Sequence, residues 1–108
     1  FDGLTESLAK AKGHIQNNAI EEKSKALSRA GRIVVGLQGA LDFERGGELA
    51  QNLNELYAYV TRRLFHVNAY NDLTVLDEVQ SLIKDIAEAW KTLPSLLGQT
   101  QPAMRYAN

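Results

Sequence analysis

Any chemistry this chain performs must come from few residues. It holds two histidines, His14 and His66, and no cysteine. Neither histidine stands in an HExxH or ExxH arrangement, so the carboxylate-bridged metal site that some helical proteins carry is not built here. Without cysteine there is neither a disulfide nor a thiolate metal site. Gly36-Leu37-Gln38-Gly39 comes nearest to a phosphate-binding loop, but it lies inside a helical pattern and no lysine follows it as such a loop needs. The inward positions of the helical segments are almost entirely Leu, Ile, Val and Ala, which leaves no buried acid–base pair. No catalytic, cofactor or metal residue is therefore assigned, and no cofactor is expected.

One enzyme-side alternative stays open. A histidine on an exposed helix face can accept a phosphoryl group, and histidine phosphotransfer modules are helical bundles of about this size. They typically continue from the histidine with lysine and glycine, whereas His66 is followed by Val67 and Asn68. His14 lies near a helix end. Ordinary half-exposed side chains are the simpler reading of both.

The bulk properties suit one domain. At 108 residues the chain can build a single modest core. Twelve basic side chains against thirteen acidic ones leave a net charge of −1, so there is no electrostatic case for nucleic acid and no basic run for an anionic membrane. No apolar run is long enough to insert into a bilayer. Lack of cysteine fits a reducing cytoplasm.

Apolar periodicity predicts four helices. The first covers about Asp2 to Gln16, with Phe1, Leu4, Leu8, Ala11 and Ile15 on one face. Asn18 is expected to cap the second helix, helped by Glu21 three residues on. That helix runs from about Ala19 to Asp42 and buries Ile20, Leu27, Ala30, Val34, Leu37 and Leu41. Gly31, Gly36 and Gly39 interrupt it, each costing about 1 kcal/mol relative to alanine. Close approach of a neighbouring helix is one explanation, and a soft helix that binds a partner is the other. Gly46-Gly47 opens the way to a third helix, about Glu48 to Ala69, with Leu49, Leu53, Leu56, Val60, Leu64 and Val67 inward. Asn71 suits a left-handed helix end and Asp72 suits the next N-cap. The fourth helix spans about Leu73 to Leu93, with Leu76, Val79, Ile83, Ile86, Trp90 and Leu93 as its seam. Asp77 and Glu78 are placed in its first turn, where the helix dipole favours them.

Short connections between amphipathic helices predict an all-α fold, an antiparallel up-down-up-down four-helix bundle. The chain starts with Phe inside a helical pattern, so the first helix is read as N-terminally truncated, leaving one end of the core thinly covered. Residues 1–93 form the bundle domain. Residues 94–108, entered at Pro94, form a C-terminal tail expected to be mobile or loosely docked through Leu96, Leu97 and Met104.

Some large apolar residues point away from these stripes. With about 100° per residue, Val35 falls well off the second stripe and Ile33 on its shoulder. On the third helix Phe65 is nearly opposite the stripe, Tyr59 lies far to one side and Tyr57 flanks it. Leu73 is off-face at the start of the fourth. Together Ile33, Val35, Tyr57, Tyr59, Phe65 and Leu73 are the candidate partner-binding residues, forming a groove or patch for an amphipathic partner. Scattered exposure without a shared role, or self-association into a homo-oligomer, is the other reading of these residues.

The stretch from Leu41 to Asp72 carries a resemblance. Leu41-Asp42, Gly46-Gly47, Asn52-Leu53, Leu56-Tyr57-x-Tyr59, Arg63-Leu64, Asn68 and Asn71-Asp72 follow one another as in the flagellin-specific export chaperones of bacteria, the FliS family. Leu76-Asp77-Glu78-Val79, Glu88-Ala89-Trp90 and Phe1-Asp2-Gly3 extend the likeness over about residues 1–93. The resemblance implies a cytoplasmic four-helix bundle that is not an enzyme. It would bind the C-terminal segment of flagellin, prevent premature polymerisation and pass the subunit to the flagellar type III export apparatus. The chain departs from that family in its three glycines in the second helix, in the tail beyond Pro94, and in lacking the family's N-terminal leader.

Overall fold

The computed structural model describes residues 1–92. They form four helices, α1 (Asp2–Gln16), α2 (Ile20–Gly39), α3 (Phe43–Tyr70) and α4 (Leu73–Thr92). Each helix packs on its neighbour in sequence, and α1 packs on α4 to close the ring. Links of two or three residues force consecutive helices to run antiparallel. The Lys12–Asp77 ion pair (3.0 Å) agrees, joining the last turns of α1 to the start of α4. The four-helix bundle expected from periodicity is the fold observed. Leu93 and the expected tail at 94–108 lie outside the described residues.

The core is a continuous apolar cluster drawn from all four helices. Leu4, Leu8 and Ala11 of α1 meet Leu27, Ala30 and Val34 of α2. Leu53, Tyr57, Val60, Leu64 and Val67 of α3 face Leu76, Val79, Ile83 and Ile86 of α4. Burying a residue of this kind contributes about 1.5–3 kcal/mol, which is why tertiary packing outweighs the glycine cost in α2.

Local chemistry differs from expectation at four places. Asn18 does not cap α2. It takes the left-handed conformation (φ 58°) and ends α1 instead, with Asn18 N–H donating to the Ile15 carbonyl and Ala19 N–H to that of His14. That paired pattern is a Schellman ending. Ala19 is left as the α2 N-cap without a side-chain bond. At its other end α2 stops at Gly39, and Asp42 begins α3 by accepting from the N–H groups of Glu44 and Arg45. Gly47 (φ 51°, ψ −126°) then kinks α3 after its first turn, a conformation that glycine alone adopts cheaply. Asp77 and Glu78 fall beyond the first turn of α4 and act through side-chain pairs instead.

Two predicted stripes are rotated. On α2, Ile20 is exposed and Lys23 is buried. The Lys23 ammonium donates to the Asn68 carbonyl (2.9 Å) and to Asn71 Oδ1 (2.7 Å), satisfying a carbonyl in the last turn of α3 where the helix dipole favours a cation. On α3, Ala50 and Tyr57 are buried in place of the predicted Leu49 and Leu56, which are exposed. Tyr57 is completely enclosed, and its hydroxyl accepts from Trp90 Nε1 of α4 (3.0 Å). Burial pushes the phenol pKa up, against the smaller opposing effect of the indole hydrogen bond.

The α3–α4 corner matches the sequence reading. Asn71 is left-handed (φ 54°) and Asp72 caps α4, its Oδ1 accepting from Val75 N–H. Asp72 Oδ2 and His66 Nε2 share a hydrogen bond of 3.0 Å. That bond, and then the one from Val75, holds the carboxyl below the usual carboxylate range.

Two outcomes follow from these contacts. Tyr57→Phe should cost about 1 kcal/mol by urea unfolding, because the indole N–H loses its partner, whereas Tyr57→Ala should cost about 3–5 kcal/mol. A depressed folded-state pKa means that the Asp72 contribution is fully present above the ordinary carboxylate range and is lost as pH falls through the lowered folded value. The stability gap between wild type and Asp72→Ala should therefore shrink on acidification, and a gap that widened would contradict the assignment.

Candidate partner-binding surface

Among the described residues no group of three or more His, Asp or Glu side chains could hold a metal ion. No described helix is long and apolar enough to cross a membrane. His66, the histidine offered for phosphoryl transfer, is tied to Asp72 and lies against the Tyr70 ring (centroids 4.9 Å apart), so its ring serves the α3–α4 corner.

The structure separates the six candidate partner residues. Tyr57 is core and presents nothing to solvent. Ile33 is partly buried against the core at the α1–α2 contact, where its Cδ1 lies close to Gly3. Leu73 is likewise partly buried and packed on the core. Tyr59 has a structural task that periodicity did not show: its hydroxyl donates to Glu78 Oε1 (3.0 Å), and the Arg62 and Arg63 guanidinium groups lie 5.8 Å from its ring centre. It therefore links α3 to α4. Only Val35 and Phe65, 58% and 73% exposed, come together as the off-stripe reading expected.

They do so across a groove between α2 and α3, about 440 Å³ in volume. Leu27, Ser28, Gly31, Arg32 and Val35 form the α2 wall, and Thr61, Leu64, Phe65 and Asn68 form the α3 wall. Polar bonds bracket the groove. Lys23 and Ser24 bond Asn68 at one end (2.9 and 3.2 Å), and Gln38 Nε2 donates to Asn54 Oδ1 (2.9 Å) at the other. Between these clamps the helices present mainly apolar walls with a glycine among them.

Close approach within the bundle does not explain the α2 glycines. A Cβ placed on Gly31, Gly36 or Gly39 would meet nothing within 4 Å. Of the three, only Gly31 lines the groove. Sequence reasoning singled out Gly31 but not its place, missed Ser28, Arg32 and Thr61, and gave Asn68 only as part of the family pattern. The i,i+4 run Leu27-Gly31-Val35 was the available signal, visible only once its facing helix is known.

A second hollow, about 880 Å³, opens between α1 and α4 at the opposite end of the bundle. Phe1, Leu8, Leu37, Ile83 and Trp90 contribute its apolar lining, with Lys84 and Glu88 among its polar residues.

An apolar groove between two helices of a four-helix bundle is the kind of surface that takes a partner helix. The chain belongs to the FliS family: the family model described as flagellar protein FliS matches residues 1–96. It is 44% identical over 94 residues to the flagellar secretion chaperone FliS of Salmonella typhimurium, covering 86% of this chain and 70% of that protein. It is also 44% identical over 90 residues to the flagellar secretion chaperone FliSB of Pseudomonas aeruginosa, covering 83% and 71%. The corresponding Escherichia coli protein is 42% identical over 92 residues, covering 84% and 68%. This is a family of chaperones, not of enzymes.

If the groove residues serve binding and not folding, Val35→Asp and Phe65→Asp should retain wild-type helicity by circular dichroism and shift stability by less than about 0.5 kcal/mol. Tyr57→Asp should unfold the bundle. Equal damage from all three would place Val35 and Phe65 in the core.

Proposed function

We propose that this protein is a cytoplasmic flagellar export chaperone that binds the C-terminal segment of flagellin, prevents its premature polymerisation and supports delivery to the flagellar type III export apparatus. Family membership supports the export role. The observation that carries the binding reading is the α2/α3 groove, whose exposed Val35 and Phe65 have no packing duty in the bundle.

The physics is that of shielding. Segments that polymerise through amphipathic helices expose apolar faces before assembly, and covering those faces requires matching apolar surface and no chemical step. A client that folds on binding loses ordering entropy, which a large interface must offset. The bundle suits this because every helix already packs on two others, so the groove is additional surface. Release then requires a competitor for the client, which the export apparatus supplies.

Calorimetric titration of the full chain with a flagellin C-terminal peptide should show saturable binding, accompanied by a gain of helical signal in the peptide. No heat and no helicity gain at tens of micromolar would overturn the flagellin reading. Concentration-dependent mass without peptide binding would favour a self-associating adaptor.

A further inference from the structure

We propose that the α2/α3 groove selects an amphipathic helix whose apolar stripe is bordered by a carboxylate, with Gly31 admitting the client helix and Arg32 pairing with that carboxylate. The inference rests on the chaperone reading above and names what the groove requires of its client.

Three features of the groove lead there. The first is shape. Gly31 sits between Leu27 and Val35 on one helix face, and a side chain placed on it would project into empty space and not into a neighbour. Every other residue type at this position would narrow the groove. Glycine weakens a helix interior, and the bundle makes no use of the room it leaves. An incoming helix can use it, since a position without a side chain lets two helix backbones approach closely.

The second is the apolar rim. Phe65 on α3 and Val35 on α2 stand on opposite sides of the gap, both largely exposed. A helix laid between them would cover both. The α2–α3 hydrogen bonds at Asn68 and Asn54 hold the walls apart at a fixed spacing, so the groove is formed before the client arrives.

The third is charge. Arg32 is the only ionisable residue among those lining the groove. Many cations of the bundle are paired: Lys10 and Arg29 with Glu6, Lys12 with Asp77, Arg45 with Asp42, and Arg63 with Glu78. Arg32 has no such pair among the described residues, and its exposed guanidinium stands on the same helical turn as Gly31. A client carboxylate at the edge of the stripe supplies the missing charge, in the forked geometry that arginine favours. A cationic client helix would be repelled at the same point.

Glycine substitutions separate this from a structural role. Gly31→Ala and Gly36→Ala should both raise the melting temperature, by about 3–6 °C, because neither methyl meets an obstacle. Only the change at Gly31 should weaken binding of a flagellin C-terminal peptide. Gly31→Leu should weaken it by roughly tenfold or more, while Gly36→Leu leaves it unchanged. Wild-type binding should weaken as salt rises; Arg32→Gln should weaken it roughly fivefold in low salt and flatten that dependence, with Arg32→Lys keeping most of both.

Wild-type affinity in Gly31→Leu or Arg32→Gln, alongside loss of binding in Val35→Asp, would overturn the proposal and leave the groove as the client site. Unchanged binding in Val35→Asp and Phe65→Asp would place the client elsewhere, removing this proposal while the chaperone reading stands. A peptide-free dimer dissolved by Phe65→Asp would assign the groove to a second copy of the chain and overturn it as well.

Discussion

The roll of α3 about its own axis decides what this bundle buries and what it shows, and Tyr57 sets that roll. Two leucines, Leu49 and Leu56, offered an alternative inward face of similar apolar area. The chain instead encloses Tyr57 and Ala50 and leaves the leucines at the edge. A buried phenol is costly when its hydroxyl has no partner. Trp90, at the far end of α4, supplies one. The aromatic body then contributes its full apolar area while the hydroxyl stays satisfied. With Tyr57 inward in place of Leu56, Phe65 no longer stands opposite the buried face but to its α2 side, where it forms one wall of the groove. The core contact and the exposed partner surface are thus one geometric decision.

A polar counterpart fixes the opposite end of the molecule. Lys23 displaces Ile20 from the expected stripe because the end of α3 needs a donor more than the core needs another methyl group. Its ammonium reaches a carbonyl in the last turn of α3 and the side chain of left-handed Asn71. Beside it, His66 and Asp72 close the same corner, and Asp72 starts α4. One compact network therefore ends α3, begins α4 and docks α2. The groove lies between this network and the Gln38–Asn54 bond, so its width is set by polar contacts outside it.

These arrangements agree with a chaperone that acts through surface alone. The α3–α4 corner is satisfied by hydrogen bonds. Of the exposed large apolar residues, Val35 and Phe65 meet on one face, between two helices joined by hydrogen bonds at either end of the groove. A catalytic site concentrates perturbed groups in its cleft. Here the resolved perturbations, at Tyr57 and Asp72, belong to the core and to a helix cap. The groove's own contribution is shape and a single charge.

The number of helices, the bundle architecture, the Asn71-Asp72 corner and a backbone break at Gly46-Gly47 were legible in the sequence, although the break falls inside α3 and not between α2 and α3. Each follows from local periodicity or from a residue with a strong backbone preference. Family membership was legible for a related reason, since the spacing of turns and stripes from Leu41 to Asp72 is a linear pattern. The tertiary structure alone decided which of two near-equal faces of α3 turned inward, why Lys23 and not Ile20 is buried, and which off-stripe residues met. Val35 and Phe65 converge because they lie on facing walls. Tyr59, far off its stripe, and Ile33, on the shoulder of its own, are taken up by Glu78 and α1. Periodicity gives an angle around one helix axis, but a surface depends on the neighbouring helix as well. The partners that settled these cases, Trp90 for Tyr57 and Asn68 for Lys23, lie more than 30 positions away, beyond any pattern a single helix can carry.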